Sequence, residues 1–351
     1  MKKLSVIASA MLACGFAHAQ TSSVQVFGLL DVNVGRYAGG GVAQTVMGTD
    51  GYQSSRFGLR GQEDLGGGLQ ASFWLESGIN PDSGTGGTTN TTNNSTGGAG
   101  GGGIVFGRRS TVSLSGGFGE LRLGRDYTPG FNNLSAFHPF GTNGVGSAGI
   151  LFYPVQAGAR ITNVRASNSV GYWLPKLGGV YGQLMYAPGE GPSSSPTSSD
   201  GRVMGGRIGY AAGPVDAAIG YTKTKLTPVG DFTQLNIGGT YDFGMAKLFV
   251  LWGENKVGAT KTKPWDIGVH VPVGAGVIRA AYGRVTTTGV ANDASQISLG
   301  YLHNLSKRTA LYANFSMIDN KGAGTNYNVG APVIKPGGNS HGYEAGVRHT
   351  F

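Results

Sequence analysis

The chain has 351 residues, a formal net charge of +9, 65 glycines, one cysteine and 39% hydrophobic residues. The glycines lack a three-residue period, which excludes collagen, and no later run reaches the roughly 18 apolar residues of a membrane helix. A single cysteine excludes a disulfide framework. Lysines and arginines are scattered rather than clustered, so no nucleic-acid partner is expected and small anions are the more natural target of the charge.

The N-terminus has the three parts of a secretory signal peptide. A basic start at Lys2 is followed by an apolar run and then by an Ala-His-Ala motif that ends at Ala19. We therefore predict a Sec-type signal peptide at 1–19 and a single barrel domain at 20–351. Cys14 leaves an alternative open, in which it is the lipidated first residue of a lipoprotein, although the apolar region before it would then be short.

The rest of the chain alternates apolar and polar residues in segments joined by connections that are in turn short and long. The short connections, rich in Gly, Asp and Pro, lie at 64–68, 116–119, 176–179, 212–214, 242–244, 273–276 and 305–308. The long connections lie at 38–53, 81–103, 127–163 and 189–200, and near 227, 258, 289 and 325. Seven short and eight long connections separate sixteen strands.

An even strand number, with short turns on one rim and long loops on the other, is typical of an outer-membrane barrel. The last segment supports this, since Tyr343, Ala345, Val347 and Phe351 fall on one face and Glu344, Arg348 and Thr350 on the other. A soluble β-sandwich is the alternative, but sandwiches rarely have such different rims. We predict an all-β fold, a 16-stranded antiparallel transmembrane β-barrel.

Several motifs give the chain a family resemblance. They are Val26-Phe-Gly28 with Asp31, the run from Ser55 to Leu69, Arg108 to Leu114, Gly119 to Asp126, Gly300 to Tyr312, and the terminal Phe351. Together and in order, they resemble the general diffusion porins of Gram-negative outer membranes, especially the trimeric branch typical of β-proteobacteria and Neisseria.

The resemblance implies an integral outer-membrane protein that lets small hydrophilic solutes diffuse through a water-filled channel. It implies a homotrimer surrounded by outer-membrane lipid and lipopolysaccharide, and a third long loop that folds inward to form the narrowest point. It also implies that Phe351 is read by the outer-membrane barrel assembly machinery. No cofactor and no metal are expected.

Strand alternation predicts which charged side chains face the pore. Phe57 and Leu59 form the apolar pair of the second strand, so Arg56 and Arg60 are expected in the lumen. Arg165 is placed there by counting from Val170.

Two neighbouring arginines are harder to assign. Only one of Arg108 and Arg109 can face inward unless a bulge intervenes; counting favours Arg109, whereas the family's arginine cluster matches Arg108. By resemblance, that cluster corresponds to Arg56, Arg108 and Arg165. Arg122 is a further lumen candidate by alternation.

The charge around this cluster predicts an anion-preferring pore. Glu76 is expected in the lumen as a pairing partner, but the run 127–189 contains no Asp or Glu. His138 lies where an acid is expected and would add positive charge only below about pH 6.5. Rings of arginine select anions. The alternative, that these arginines pair with acids to brace the wall, remains open.

Outward-facing aromatic residues are expected to form two girdles at the membrane interfaces. The candidates are Phe27, Tyr37, Phe57, Tyr172, Tyr210, Tyr221 and Phe351.

Other classes of function fit less well. A barrel enzyme needs a nucleophile or water activated by an oriented histidine, and none of the histidines at 138, 270, 303, 341 and 349 lies in a recognisable motif. A substrate-specific channel is the nearest rival, because the third loop carries several aromatic residues. A role as adhesin or phage receptor would depend on outer loops whose sequence is not decisive.

Overall fold

A computed structural model describes residues 22–87, 93, 104–153, 162–227 and 229–351. The expected signal peptide therefore lies outside the described residues. Within them, no helix combines the length and the apolar character needed to cross a bilayer.

One antiparallel sheet of eighteen strands forms the molecule. Its strands are β1 (Ser22–Gly39), β2 (Val42–Thr49), β3 (Arg56–Gly66), β4 (Leu69–Asn80), β5 (Thr85–Gly86), β6 (Arg109–Gly116), β7 (Gly119–Tyr127), β8 (Arg165–Trp173), β9 (Val180–Ala187), β10 (Val203–Ala212), β11 (Val215–Thr224), β12 (Phe232–Asp242), β13 (Lys247–Val257), β14 (Thr260–Val273), β15 (Gly276–Thr287), β16 (Ala294–Asn304), β17 (Thr309–Asn320) and β18 (Asn339–Thr350). The strands β2 and β5 belong to connections, and the other sixteen form the wall. The predicted fold class is confirmed.

The wall closes where its first and last strands pair. Residues Leu29 to Gly39 of β1 lie opposite Thr350 to Ser340 of β18. Gly28 and Phe351 exchange two backbone hydrogen bonds, of 3.3 and 3.1 Å. The Phe351 ring covers Gly28 so closely that a Cβ there would lie 2.4 Å from the ring. Closure leaves no unpaired edge, which is the condition for a sheet to span a membrane.

The expected alternation sets the two faces of the wall. Tyr343 and Val347 of the last strand are 52% and 46% exposed on the outside, whereas Glu344 between them is buried inside. Two expected girdle residues are wrong. Phe27 and Tyr37 lie on the inner face of β1, because Val24, Val26 and Val34 take the outer positions; Phe27 packs against Trp74 and Tyr37 reaches Glu344.

All seven predicted short turns separate strands as expected. In the first, the Asp64 carboxylate accepts a hydrogen bond from the Gly66 backbone at 2.9 Å, and Gly66 has a φ of +85° that favours glycine. The long connections differ in two places. The segment 38–53 contains strand β2, which pairs with residues Val32 to Gly39 of β1. The connection near 258 is only a two-residue turn.

The third long connection, between β7 and β8, carries two short helices. They are α1 (Pro129–Ala136) and α2 (Gly149–Phe152). Thr128 caps α1 by accepting a hydrogen bond from Phe131 N, and a proline occupies its first turn. The connection lies against the inner faces of β9 to β18: Gly130 N donates to Thr222 Oγ1 at 2.9 Å, and Gln296 donates to the Val145 carbonyl at 3.1 Å.

Glycines on the wall make room for this third loop. An added Cβ at Gly220 would lie 2.7 Å from Asn133 Cβ, and one at Gly238 would lie 2.6 Å from the Phe137 ring. Phe137 itself is fully buried between loop and wall. The glycine content of the chain thus serves, in part, the packing of a loop inside its own barrel.

Substituting Phe137→Ala tests that packing. Removing a fully buried phenylalanine costs about 3–5 kcal/mol, so we expect the third loop to become sensitive to limited proteolysis while the barrel stays folded. Phe118→Ala is the matched control, because Phe118 is 47% exposed at a short turn. A third loop as protected in Phe137→Ala as in the wild type would contradict the result.

Candidate pore constriction

Three arginines of the wall are linked through one carboxylate and one phenol, a group we call the arginine chain (Arg56, Glu76, Arg108, Tyr127 and Arg165). Glu76 Oε1 lies 2.6 Å from Arg108 Nε and 3.5 Å from Arg56 Nη1. The Tyr127 hydroxyl accepts hydrogen bonds of 3.0 Å from Arg108 and from Arg165. Strands β3, β4 and β8 and the starts of β6 and of the third loop therefore meet here.

Arg108 and Arg109, the two neighbouring arginines whose direction the sequence left open, both face the lumen. Arg109 begins β6 and pairs in register with Glu76, so alternation directs it inward. Arg108 precedes the strand and is not bound by its alternation; its backbone N–H bonds to the Glu76 carbonyl at 3.0 Å, and its side chain reaches the Glu76 carboxylate. No bulge is needed.

Arg165 reaches the lumen, but strand alternation is not the reason. The register between β7 and β8 slips between Gly124 and Asp126, and Asn168 has a φ of +58°. Counting back from Val170 therefore loses its meaning at the slip. The contact with Tyr127 brings Arg165 to the arginine chain.

Positive charge exceeds negative charge in this group. The group holds three guanidinium groups and the single carboxylate of Glu76, which contacts Arg56 and Arg108. The other Glu76 oxygen accepts a hydrogen bond from Trp74 at 3.0 Å. Burial raises the pKa of Tyr153, on the third loop near Arg165, so its phenol stays neutral. The side chains of Arg56 and Arg108 remain 23% and 14% exposed, which leaves them accessible to ions in the lumen.

Arg122 has a different environment, since two carboxylates surround it. Its Nε and Nη2 each donate to Glu120 at 2.9 Å, and its Nη1 lies 2.5 Å from Asp126. Asp126 also lies 3.7 Å from Arg109 Nε. Arg122 therefore pairs with acidic residues and stabilises the wall, and its charge is not left free for ions in the lumen.

Arg60 lies on the same inner wall, closer to the short turns. Its guanidinium covers the rings of Phe27 and Trp74, at 5.1 and 5.0 Å from their centroids. Arg109 contacts the Trp74 ring at 4.6 Å.

His138 does not join the arginines. Its imidazole is buried against β14, with Nε2 3.5 Å from Asp266 and Nδ1 accepting a hydrogen bond from Phe140 N at 3.1 Å. The expectation that it adds charge to the pore surface is wrong, because loop packing directs the side chain into the wall.

Four side chains of the lumen were not among the expected site residues. Arg207 donates to Asn133 on α1 at 2.8 Å, Arg279 lies between the rings of Tyr52 and Phe140, and Arg348 donates to Gln53 at 3.2 Å. Alternation around Ile208 and Ile278 could have found the first two. The bridging role of Tyr127 had no sequence signal.

A metal site is not indicated in the part of the chain that the structure describes, where no three His, Cys, Asp or Glu residues come together to hold an ion.

Comparisons with known proteins support the porin resemblance. A family model described as Gram-negative porin matches residues 5–323. An outer membrane porin protein of Delftia acidovorans is 39% identical over the full length of both chains, and one of Bordetella pertussis is 28% identical over 91% of this chain and 95% of its own.

Solved structures give the same result. A structure titled as an anion-selective porin from Comamonas acidovorans superposes with a TM-score of 0.82, at 37% identity, over 94% of this chain and 100% of that one. An outer membrane protein of Vibrio cholerae shares the fold at a TM-score of 0.65 and 15% identity, covering 94% and 100%. The chain belongs to the Gram-negative porin family and forms a barrel channel of the outer membrane.

Proposed function

We propose that this porin conducts small anions in preference to cations, and that Arg56, Arg108 and Arg165 set the preference. The observation that carries the proposal is the charge imbalance of the arginine chain, in which Glu76 is the one carboxylate among three guanidinium groups. The third loop supplies no compensation, because the sequence from 127 to 189 has neither Asp nor Glu.

The physical cost of the imbalance supports this function. Two like charges about 4 Å apart repel by roughly 1 kcal/mol in water and about 4 kcal/mol near a protein surface. Mobile anions passing the constriction relieve that repulsion, whereas cations increase it. Arginine stays charged at every relevant pH and offers several donors to carboxylate or phosphate.

A relative supports the same direction, since the Comamonas acidovorans porin that shares 37% identity with this chain is anion-selective. The alternative of bracing fits Arg122 but leaves the arginine chain with surplus charge. Family membership favours a channel over an enzyme. A channel specific for one substrate would be recognised by a conductance that saturates as the concentration of that solute rises.

Removing charges from the arginine chain in opposite directions tests the proposal. We expect chloride-over-potassium permeability, measured as the reversal potential in a KCl gradient, to rise in Glu76→Gln and to fall in Arg165→Ala. Glu254→Gln is the matched control, because Glu254 pairs with Lys261 on the outer face of β13 and β14. Equal reversal potentials in all four proteins, or the opposite order, would rule the arginine chain out.

We propose a second partner, the anionic headgroups of outer-leaflet lipid such as lipopolysaccharide, on the outer face of β13 to β15. Lys256 lies directly opposite Lys261 across the strands, and Glu254 pairs with Lys261 at 3.0 Å. Lys256 and Lys263 therefore leave a surplus of positive charge on this face. Lys263 lies on the same face of β14, two residues from Trp265, which pairs with Trp252 across the strands. Basic residues above an aromatic girdle suit phosphate at the membrane surface.

A double variant Lys256→Gln/Lys263→Gln tests this surface. We expect it to retain less lipid A than the wild type in native mass spectrometry of the purified protein. Lys176→Gln/Lys307→Gln, at the rim of short turns, is the control for net charge. Equal loss of lipid A in both double variants would contradict a specific surface.

The signal peptide, the reading of Phe351 by the assembly machinery and the homotrimer stay predictions. Cross-linking of the protein in its native membrane measures the last of these.

A further inference from the structure

A second feature of the inner wall lies between the arginine chain and the rim of short turns. It is a cavity of about 380 Å³, and its lining includes Gln25, Arg60, Gln62, Trp74, Arg109 and Arg122. Arg60 is nearer than Arg56 to the turn that joins β3 and β4, and Trp74 is nearer to it than Glu76. The volume falls in the range of about 300–1,000 Å³ that holds small molecules.

Two of the arginines here lie over aromatic rings. Phe27 and Trp74 pack at 4.8 Å between centroids, the Arg60 guanidinium covers both, and Arg109 stacks on Trp74. The attraction between a guanidinium and a ring acts through the charge, so the terminal N–H groups can still bind other partners. The rings thus fix the arginines without consuming their donors.

The hydrogen bonds of these arginines leave donors over. Arg60 uses Nε for Gln25 at 2.7 Å, and Arg109 uses Nε for Thr111 at 3.1 Å. Within the described residues, no hydrogen bond is seen from the terminal nitrogens of either side chain.

Glu120, the acidic residue in the lining, is already paired. Both carboxylate oxygens of Glu120 accept hydrogen bonds from Arg122, at 2.9 Å each. The Glu120 charge is therefore compensated within the wall, and Arg122 has little left to offer a ligand. Arg109 also lies 3.7 Å from Asp126, but through Nε, so the terminal nitrogens of Arg60 and Arg109 remain for a ligand.

The remaining lining is rich in hydroxyl and amide groups, among them Ser23, Gln62, Ser72 and Ser113. Such groups hydrogen-bond to the hydroxyls of a solute, whereas the two guanidinium groups suit an oxyanion.

We propose that this cavity is a second binding site, on the short-turn side of the arginine chain, for small hydroxylated organic oxyanions such as sugar acids. The inference rests on the proposed anion-conducting function and extends it, since it names a class of solute and a place where that solute pauses. Arg60 and Arg109 bind the oxyanion, and the serine and glutamine side chains bind its hydroxyls.

The test uses gluconate as the probe in single-channel recordings of the wild-type protein in a planar bilayer with KCl. We expect gluconate added on the side of the short turns to reduce the chloride current with a saturable concentration dependence. In Arg60→Gln and in Arg109→Gln, the half-saturating concentration should rise by roughly tenfold, since each variant removes a charged hydrogen-bond donor. Glucose at the same concentrations controls for the effect of an uncharged solute.

Lys247→Gln is the matched variant, because Lys247 is a cation near the same rim on the inner face of β13, outside the cavity lining. Gluconate should block the Lys247→Gln channel at the same half-saturating concentration as the wild type. Unchanged block in both arginine variants, or an equal loss in Lys247→Gln, would overturn the site. The reversal potential of the same channels in KCl without gluconate reports on the anion preference separately, so a failure of one proposal is distinguishable from a failure of the other.

Discussion

Backbone groups inside a hydrocarbon layer have no water to bond to, and pairing all of them constrains everything else in this protein. The constraint is met by a sheet that closes on itself where β1 meets β18, with Gly28 and Phe351 exchanging the last hydrogen bonds. Closure divides each strand into an outer and an inner face, residue by residue. Polar residues that could not lie in lipid, such as Glu344, are thereby gathered inside.

The protein's own third loop packs against part of the inner wall, and we propose that this packing sets the charge of the channel. Glycines such as Gly220 and Gly238 let the loop approach the wall, and Phe137 fills the space between them. A loop fixed in this way lies within the lumen beside the wall that carries Arg56, Arg108 and Arg165. The loop sequence brings no carboxylate, and Glu76 is the carboxylate that pairs directly with Arg56 and Arg108.

Period-two alternation made the strands and the inward direction of Arg56 predictable from sequence, and Gly, Asp and Pro marked the short turns. Parity decides less outside regular strand pairing. Arg108 precedes its strand, and Arg165 lies beyond a register slip, so contacts rather than counting set their directions. His138 is a loop residue whose direction depends on long-range packing. Phe27 was assigned to lipid because it is apolar, although inner walls also use aromatic rings, here to hold Arg60.

The central claim is that arginines unopposed by the third loop give this porin its anion preference. Its most direct test is the reversal potential in a KCl gradient of the wild type beside Ala136→Glu, which adds a carboxylate at the exposed end of α1. The expected result is a chloride preference in the wild type that is clearly smaller in the variant. A potassium preference in the wild type, or a variant that keeps the full chloride preference, would contradict the claim.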